Sequence, residues 1–338
     1  MNALQRTIDF INNGKVDRPP FHPIIMRFTA KYAKINYRDF CLSPSHKCEG
    51  NILCAKDFGY DWVNVMSDPY AEAEAFGVKV EYPLNSLPLA KVFPLSDLAD
   101  LDKLKMPVIT EHERLMTRIK EIEIYKKEVG DKYFITGWVE GPLAEYCDLK
   151  DISAALMDFY ENPDEMEKAL DMITEFSMNY ITAQVKAGAH CVGIGDAACS
   201  LISPDLYKQY IFQREKELID HTHSLGAMVK LHICGNTTAI LPDMIKTGAD
   251  IIDIDHLVTT MEDFVHLLSA KQVFSGNSDP VSILKDGTPE SIKESVESCF
   301  KKTKGRGIVS AGCEIPAETS LENFRAYMEA AHALGNTQ

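Results

Sequence analysis

The sequence lacks the features that would place the protein in a membrane or on a nucleic acid. No apolar run reaches about 18 residues, the length of a transmembrane helix, and the N-terminus has no long apolar stretch of the signal-peptide kind. Basic residues are in the minority, with 35 Lys and Arg against 50 Asp and Glu and a net charge of −15. Nucleic acids and anionic membranes both select a basic surface. We therefore expect neither as a partner and expect a cytoplasmic location.

A disulfide framework is also missing. The nine cysteines are odd in number and irregularly spaced in a long chain, which is not the pattern of a small secreted protein. They lie at positions 41, 48, 54, 147, 191, 199, 234, 299 and 313. We expect most of them to be small buried apolar residues in a reducing compartment, and one or two to be metal ligands.

What is present is a repeating pattern of short apolar runs, each followed by a longer segment with helical periodicity. The predicted strands are residues 21–28, 61–66, 132–138, 190–196, 228–234, 250–255, 272–277 and 307–313. Eight strand–helix repeats predict a single α/β domain over residues 1–338, folded as a (β/α)8 TIM barrel. A doubly wound open sheet is the alternative. Residues 29–59 and 71–127 are long for connections, and we expect them to be insertions that carry helices.

Helices are predicted at both ends of the chain. Near the N-terminus, "ALQRTIDFI" has apolar residues roughly on one face, and "NNGK" ends the pattern. Near the C-terminus, Thr319 and Glu322 match a capping box that starts the last helix. Pro242 lies within "TTAILPDMIKTG", so a helix is expected to begin at about that residue.

Two metal-capable side chains follow each other closely in "MVKLHICGN". His232 and Cys234 are two residues apart, so they point the same way if the segment is a strand. Cys313 stands at the end of the last predicted strand, and strand ends converge at the mouth of a barrel. One histidine and two cysteines suit a zinc ion with an open fourth position. The alternative is a buried core histidine beside unrelated buried cysteines.

The same segments resemble a known family. "LHICGNTTAILPDMIKTGADIIDID" and "SAGCEIPAETSLENFRAYMEAA" are similar to the uroporphyrinogen decarboxylase superfamily, in the branch of the methylcobalamin:coenzyme M methyltransferases. The resemblance extends over nearly the whole chain and implies a (β/α)8 barrel. It also implies that His232, Cys234 and Cys313 bind zinc and are catalytic. Glu314, directly after Cys313, and the segment "GNSDP" depart from the coenzyme M pattern.

The implied reaction is methyl transfer between a corrinoid (methylcobalamin as co-substrate) and a thiol such as coenzyme M. No D-x-H-x-x-G cobalamin signature occurs, so we expect the corrinoid to arrive on a partner corrinoid protein. One alternative is a substrate-side demethylase that takes methyl from a methoxy or methylamine donor, and another is a non-catalytic zinc-stabilised subunit. Uroporphyrinogen decarboxylation is disfavoured, because "HPIIMRFTAKY" has the single Arg27 where decarboxylases carry an arginine-rich segment.

Five further polar residues are candidates for the substrate site. Asp255 is expected either to fill the fourth zinc position or to orient the His232 ring through a hydrogen bond to its carboxylate. Glu140 and Asp196 follow predicted strands and are expected to face substrate, although Glu140 is also placed to cap a loop. Asn236 is expected to hold the ligand loop or contact substrate. Asn277 is expected in the pocket or in a turn.

A corrinoid has to approach the zinc ligands through an open mouth. We therefore expect an open funnel with the metal on its floor and apolar or aromatic walls that exclude water. Trp62 and Trp138 are predicted to belong to the core and the wall rather than to a specific corrinoid platform.

Overall fold

The computed structural model describes residues 1–337 and is built around one curled parallel sheet. The strands in these residues are β1 (Trp62–Asn64), β2 (Lys79–Glu81), β3 (Leu89–Val92), β4 (Phe134–Glu140), β5 (Cys191–Gly195), β6 (Met228–Ile233), β7 (Ile251–Ile254), β8 (Val273–Ser275) and β9 (Gly307–Ile308). Seven of them form the sheet in the order β1-β4-β5-β6-β7-β8-β9, with every neighbouring pair parallel. The two others, β2 and β3, form a separate antiparallel pair.

Helices connect the strands and cover the sheet. The α-helices are α1 (Ala3–Ile11), α2 (Arg27–Tyr32), α3 (Tyr37–Leu42), α4 (Pro44–Phe58), α5 (Tyr70–Phe76), α6 (Glu113–Val129), α7 (Pro142–Lys150), α8 (Ile152–Glu161), α9 (Pro163–Ala187), α10 (Pro204–Leu206), α11 (Phe212–Ser224), α12 (Leu241–Lys246), α13 (Pro289–Lys302) and α14 (Leu321–Ala333). Short 3-10 segments are Leu98–Lys103, Ile109–Glu111, Ala197–Leu201, Met261–Asp263, Val265–Leu267 and Leu334–Thr337, and π-helical turns are Tyr207–Ile211 and Pro280–Lys285. No helix in residues 1–337 combines the length and the apolar composition needed to cross a bilayer.

Seven of the eight predicted strands are confirmed, and the first is wrong. Residues 21–28 form only a single bridge, between Phe21 and Val309, before α2 begins at Arg27. Pro20 and Pro23 flank Phe21 and lack the N–H groups that a longer ladder requires. The sheet therefore has seven strands instead of eight, and the Phe21 bridge lies beside its last strand.

The terminal helices follow the sequence pattern except at one cap. The side chain of Asn2 accepts a hydrogen bond from the backbone of Gln5 and starts α1. The last helix is capped by Ser320, whose hydroxyl accepts from the backbone N–H of Asn323 at 3.0 Å, so the predicted cap at Thr319 is wrong by one residue. The helix α12 begins one residue before Pro242, as predicted.

The two predicted insertions both carry helices. The segment 29–59 holds most of α2 together with α3 and α4. The segment 71–127 holds most of α5 and α6, and it also contains the unpredicted β2–β3 hairpin.

The amino-terminal ends of the strands are closed by α1. Its residues Phe10 and Ile11 belong to a buried apolar cluster with the first or second residues of six strands. The strand residues in that cluster are Trp62, Phe134, Cys191, Ile251, Val273 and Ile308. Because this end of the sheet is filled with apolar side chains, polar chemistry is left to the carboxyl ends.

One row of paired residues runs across the sheet near those carboxyl ends. Glu140 pairs with Gly195, Gly195 with His232, His232 with Asp253, and Asp253 with Ser275. Side chains at paired positions of a parallel sheet point to the same face. The row therefore brings a carboxyl, an imidazole and a second carboxyl side by side from distant parts of the sequence.

Candidate metal centre and its cavity

Three metal-capable side chains meet where β6 and β9 end. His232 is the fifth residue of β6, Cys234 follows the strand directly, and Cys313 lies a few residues beyond β9. The His232 Nε2 atom is 2.9 Å from the Cys234 sulfur, and the two sulfurs are 3.4 Å apart. One ligand atom from each of the three residues lies within 4.8 Å of the others. The structure thus brings together all three residues that the sequence singled out.

The donor set fits zinc. Two sulfurs that are each about 2.3 Å from a tetrahedral ion stand about 3.8 Å apart, close to the 3.4 Å observed here. Shifts of under about 1 Å would admit an ion among the three atoms. Two thiolates and one neutral imidazole balance the charge of a divalent cation, and they leave one tetrahedral position free.

A buried ion chain holds the imidazole from behind. The Nδ1 atom of His232 is 2.6 Å from Asp253 Oδ2, and the same oxygen is 3.0 Å from the Lys230 ammonium. Burial opposes the charged form, but Lys230 and His232 still hold the pKa of Asp253 below its usual range. With Nδ1 engaged by the carboxylate, the lone pair of Nε2 is free to face the cysteines.

The contact between the two cysteine sulfurs shifts their pKa values in opposite directions. A hydrogen bond from Cys234 lowers the pKa of Cys313, and His232 adds to this effect. The same contact with Cys313 raises the pKa of Cys234, and burial raises it further. One thiolate is therefore formed readily, and a cation is needed to stabilise both.

A cavity of about 180 Å³ adjoins the three ligands. Its apolar walls are Ile24, Met26, Met66, Pro69 and Trp138. The polar lining consists of the three ligands and the carboxyl groups of Asp68, Glu140 and Glu314. Cys234 and Cys313 are partly exposed rather than sealed in the core, so the cavity opens beside the sulfurs.

Two glycines of β5 make room for the indole of Trp138. A β-carbon on Gly193 would stand 2.4 Å from the indole, and one on Gly195 would also stand 2.4 Å from it. The indole therefore lies across β5, with its ring centroid 6.2 Å from that of His232. Its Nε1 donates a hydrogen bond of 2.8 Å to Glu140 Oε1. Trp138 is thus a wall residue, and Trp62 is fully buried in the core, as predicted.

Glu140 belongs to a buried acidic group. Its side chain is buried, and its backbone N–H donates to Glu72 Oε1 at 3.2 Å. Glu72 is neutralised by Arg118, at 2.9 Å. Burial, together with the charges of Glu72 and Asp148, raises the pKa of Glu140 well above its ordinary value.

The other two carboxyl groups of the lining have arginine partners. Arg114 lies 2.6 Å from Asp68 Oδ2. Burial acts to raise the pKa of Asp68, but Arg114 and Arg118 lower it to about 2. At the mouth, Glu314 Oε1 accepts from the backbone N–H of Arg27 at 2.9 Å and lies 3.6 Å from its Nε.

Asp255 and Asn277 hold loops together in this structure. Asp255 Oδ2 accepts from the backbone N–H of Gly235, and Oδ1 accepts from that of Leu257, both at 3.0 Å. Asn277 donates its amide hydrogens to the carbonyls of Asp255 and Val258. The carboxylate that contacts His232 is Asp253, which the sequence analysis did not single out.

Asp196 and Asn236 are also engaged with the backbone. Asp196 accepts from the N–H groups of Leu143 and Ala144 at the start of α7, and it is not among the residues that line the described cavity. It stands in a second buried cluster with Cys199 and Glu215. Asn236 is exposed, and its Oδ1 accepts from the backbone and the hydroxyl of Thr238.

The fold and the site define a parallel α/β protein with a candidate transition-metal centre at the carboxyl ends of its strands. The chain belongs to the uroporphyrinogen decarboxylase (URO-D) family, whose model matches residues 2–334. The resemblance inferred from the sequence motifs is thereby confirmed.

The curated relatives fall into two groups. A methylcobamide:CoM methyltransferase of Methanosarcina mazei is 31% identical over 280 residues, which are 81% of this chain and 80% of the relative. A methylcobamide:CoM methyltransferase of Methanosarcina barkeri is 28% identical over 68% of each chain. A uroporphyrinogen decarboxylase of Carboxydothermus hydrogenoformans is 24% identical over 97% of this chain and 96% of its own length.

A solved structure shares the fold over almost the whole chain. It is described as a methyltransferase from Methanosarcina mazei and superposes with a TM-score of 0.88 over 98% of both chains, at 23% sequence identity. The curled parallel sheet and its covering helices are therefore the fold of that structure.

Proposed function

We propose that this protein is a zinc-dependent methyltransferase that moves a methyl group between a methylated corrinoid, carried by a partner protein, and a small thiol such as coenzyme M. The observation that carries the proposal is the convergence of His232, Cys234 and Cys313 within 4.8 Å at the edge of a cavity. The names of the methyltransferase relatives support the same reaction.

A zinc ion held by these residues would supply Lewis acidity, which would lower the pKa of a coordinating thiol so that it binds as a nucleophilic thiolate at neutral pH. Asp253 fixes the imidazole so that Nε2 faces the cysteines. The apolar wall of Met66, Pro69 and Trp138 limits the access of water to the sulfur. The chain thereby orients and deprotonates a nucleophile, and it needs no further acid or base for the transfer.

The corrinoid is proposed to stay at the mouth of the cavity. A space of about 180 Å³ is too small to enclose a corrin macrocycle, whereas a small thiol fits inside it. The partly exposed cysteine sulfurs support an approach of the methyl donor from outside. A separate corrinoid protein is consistent with this arrangement, because the cobalt must reach the sulfur from the solvent side.

We also propose that residues 1–338 form one domain with a closed eight-membered barrel. Phe21 supports closure because its segment is bonded to both edges of the seven-stranded sheet. The N–H of Val309, next to β9, donates to the carbonyl of Pro20, and the N–H of Asp61, next to β1, donates to that of Phe21. The Phe21 segment thus stands where the eighth strand of a barrel belongs.

Uroporphyrinogen decarboxylation has less support, although some relatives carry that name. No arginine or lysine lines the described cavity, and a porphyrinogen with eight carboxylates needs such groups. The paired cysteines would also have no role in a decarboxylase that uses no metal.

The test combines metal analysis with a thiol screen on free methylcobalamin. We expect about one zinc per chain and a thiol-dependent loss of the methyl–cobalt absorbance. Methylation of Co(I) by a methyl ether or a methylamine, without any reaction of thiols, would instead identify a substrate-side demethylase. Absence of activity in both assays would favour the third alternative, a non-catalytic zinc-stabilised subunit.

A further inference from the structure

We infer that the methyl-accepting thiol carries a positively charged group, which the carboxylate of Glu140 binds inside the cavity. The inference rests on the proposed function and specifies the class of its acceptor. It departs from an anionic acceptor such as coenzyme M, whose sulfonate would meet carboxyl groups in this cavity.

The lining of the cavity is acidic. Three carboxylic acids line the cavity, and no lysine or arginine does so among the described residues. The only other ionisable groups in the lining are His232 and the two cysteines, which the proposed metal would occupy. An anionic substituent on the thiol would therefore be buried without a cationic partner, which costs free energy.

Glu140 has one side-chain oxygen that is available to a ligand. Glu140 is only 8% exposed, and the hydrogen bond that its side chain makes within residues 1–337 is the one from the Trp138 indole to Oε1, which leaves Oε2 for a ligand. That oxygen lies over Gly195, 3.4 Å from where a β-carbon would stand, and Gly195 is itself part of the cavity wall. A buried carboxyl with a free oxygen facing an empty space is built to take a donor from a ligand.

The other two acids of the lining are already satisfied. Asp68 is paired with Arg114, and Glu314 with Arg27. Arg118 donates to the backbone carbonyl of Trp138, two residues before Glu140, but its ion pair is with Glu72. Glu140 is thus the one lining acid without an arginine ion pair. Its raised pKa means that its carboxylate form is stabilised only when a cation binds beside it.

The spacing suits a short substrate. Glu140 and His232 both pair with Gly195, on either side of β5, so their backbones stand about 10 Å apart at the usual strand separation. The indole of Trp138 lies across β5 between them and is part of the cavity wall. A thiol at the metal ligands therefore has the Glu140 carboxyl within reach of a group a few bonds from its sulfur.

The reaction with such an acceptor is balanced without a further reagent. The thiol loses its proton to solvent, the sulfur forms a bond to the methyl carbon, and the cobalt–carbon bond breaks. The electron pair of that bond stays with cobalt, which changes from Co(III) to Co(I). The ammonium group keeps its charge throughout, so it acts only in binding.

Three thiols of equal chain length test the inference on the zinc-loaded enzyme. They are 2-aminoethanethiol, 2-mercaptoethanol and 2-mercaptoethanesulfonate, which carry a positive, a neutral and a negative group at neutral pH. With free methylcobalamin, we expect kcat/KM to fall in that order, with about 10- to 100-fold between the positive and the neutral thiol. A preference for the sulfonate, or equal values for all three, would overturn the inference and leave the proposed function standing.

The variant Glu140→Gln separates recognition from the intrinsic reactivity of each thiol. We expect the ratio of kcat/KM for 2-aminoethanethiol to that for 2-mercaptoethanol to drop about tenfold or more in this variant. Glu161→Gln, an exposed change at the end of α8, should keep the wild-type ratio. An unchanged ratio in Glu140→Gln would refute the role of Glu140. Failure of all three thiols with the wild-type enzyme would instead refute the proposed function, and the inference with it.

Discussion

The imidazole of His232 is anchored by Asp253, with 2.6 Å between Nδ1 and Oδ2. The two residues are register partners on β6 and β7, so the contact is set by the sheet itself. Because the carboxylate accepts a hydrogen bond from Nδ1–H, it favours the tautomer in which the Nε2 lone pair can bind a metal. Lys230 completes the chain by balancing the charge of Asp253.

This contact predicts that Asp253 controls metal affinity. We expect Asp253→Asn to weaken zinc binding about 10- to 100-fold, since the ring loses its orienting charge. Competition with a chromophoric chelator measures the affinity. Because the single change leaves the buried Lys230 without a carboxylate, Asp253→Asn/Lys230→Met serves as the second variant. Wild-type affinity in both would show that the carboxylate does not support the ligand.

Cys313 is predicted to be required for metal binding but not for folding. Cys313→Ala should lose most of its zinc and its methyl transfer, because two of the ligands alone hold the ion weakly. Its circular dichroism should stay that of the parent protein. Cys299→Ala, which removes another partly exposed cysteine that belongs neither to the ligand group nor to the cavity lining, is the matched control and should keep both zinc and activity. Full thiol methylation by zinc-free Cys313→Ala would exclude a zinc activator.

Gly195 is predicted to leave room for the Trp138 indole in the cavity wall. In Gly195→Ala the new β-carbon would stand 2.4 Å from Trp138, so the indole must move. We expect a loss of about 1 to 3 kcal/mol in the free energy of unfolding and a lower rate of methyl transfer. Zinc content should change less than the rate, since the three ligands are untouched.

The control for that variant is Gly50→Ala in α4. The closest contact of its β-carbon would be 3.2 Å from the Thr29 side chain, and alanine favours a helix. Equal rate losses in the two variants would mean that crowding of the indole is not the cause.

Asp61 is predicted to hold the Phe21 segment against the sheet. It is buried, it pairs with Arg6 and Arg18, and it accepts from the N–H of Phe21 at 2.7 Å. We expect Asp61→Ala to cost about 3 kcal/mol, because Arg6 keeps only Asp17 as a partner and the partly buried Arg18 loses its carboxylate. Urea unfolding measures the loss.

An exposed ion pair provides the comparison for Asp61. Lys216 and Asp220 face solvent on α11, so Asp220→Ala should change the free energy of unfolding by less than about 0.5 kcal/mol. A similarly small change for Asp61→Ala would show that the Phe21 segment is held by other contacts.

Local patterns predicted most of the elements, because each strand of the seven-stranded sheet is a short apolar run that ends near a glycine or a polar residue. They failed at residues 21–28, where the apolar residues resemble a strand but Pro20, just before the segment, and Pro23, within it, prevent a longer ladder. The N-cap of α14 is Ser320 and not the predicted Thr319, because two adjacent hydroxyl side chains can each cap a helix and the sequence alone does not choose between them.

The ligand set was predictable because the H-x-C spacing and a strand-end cysteine are local signals. The supporting carboxylate was not, because Asp253 and Asp255 have the same parity in "DIIDID" and only the register of β6 with β7 distinguishes them. Glu140 was identified by its position at a strand end. Which of its oxygens stays unpaired could not be predicted, because the indole of Trp138 crosses β5 and bonds only Oε1. The glycines in "VGIGD" were the one sequence signal for that crossing.

The central claim is that a thiol is activated by a zinc ion bound to His232, Cys234 and Cys313. Zinc K-edge X-ray absorption, recorded before and after addition of an accepted thiol, tests it most directly. The account predicts two sulfur neighbours and at least one nitrogen at first, then three sulfurs once the thiol is bound, with Zn–S near about 2.3 Å. A sulfur count that stays at two while the thiol is methylated would contradict it.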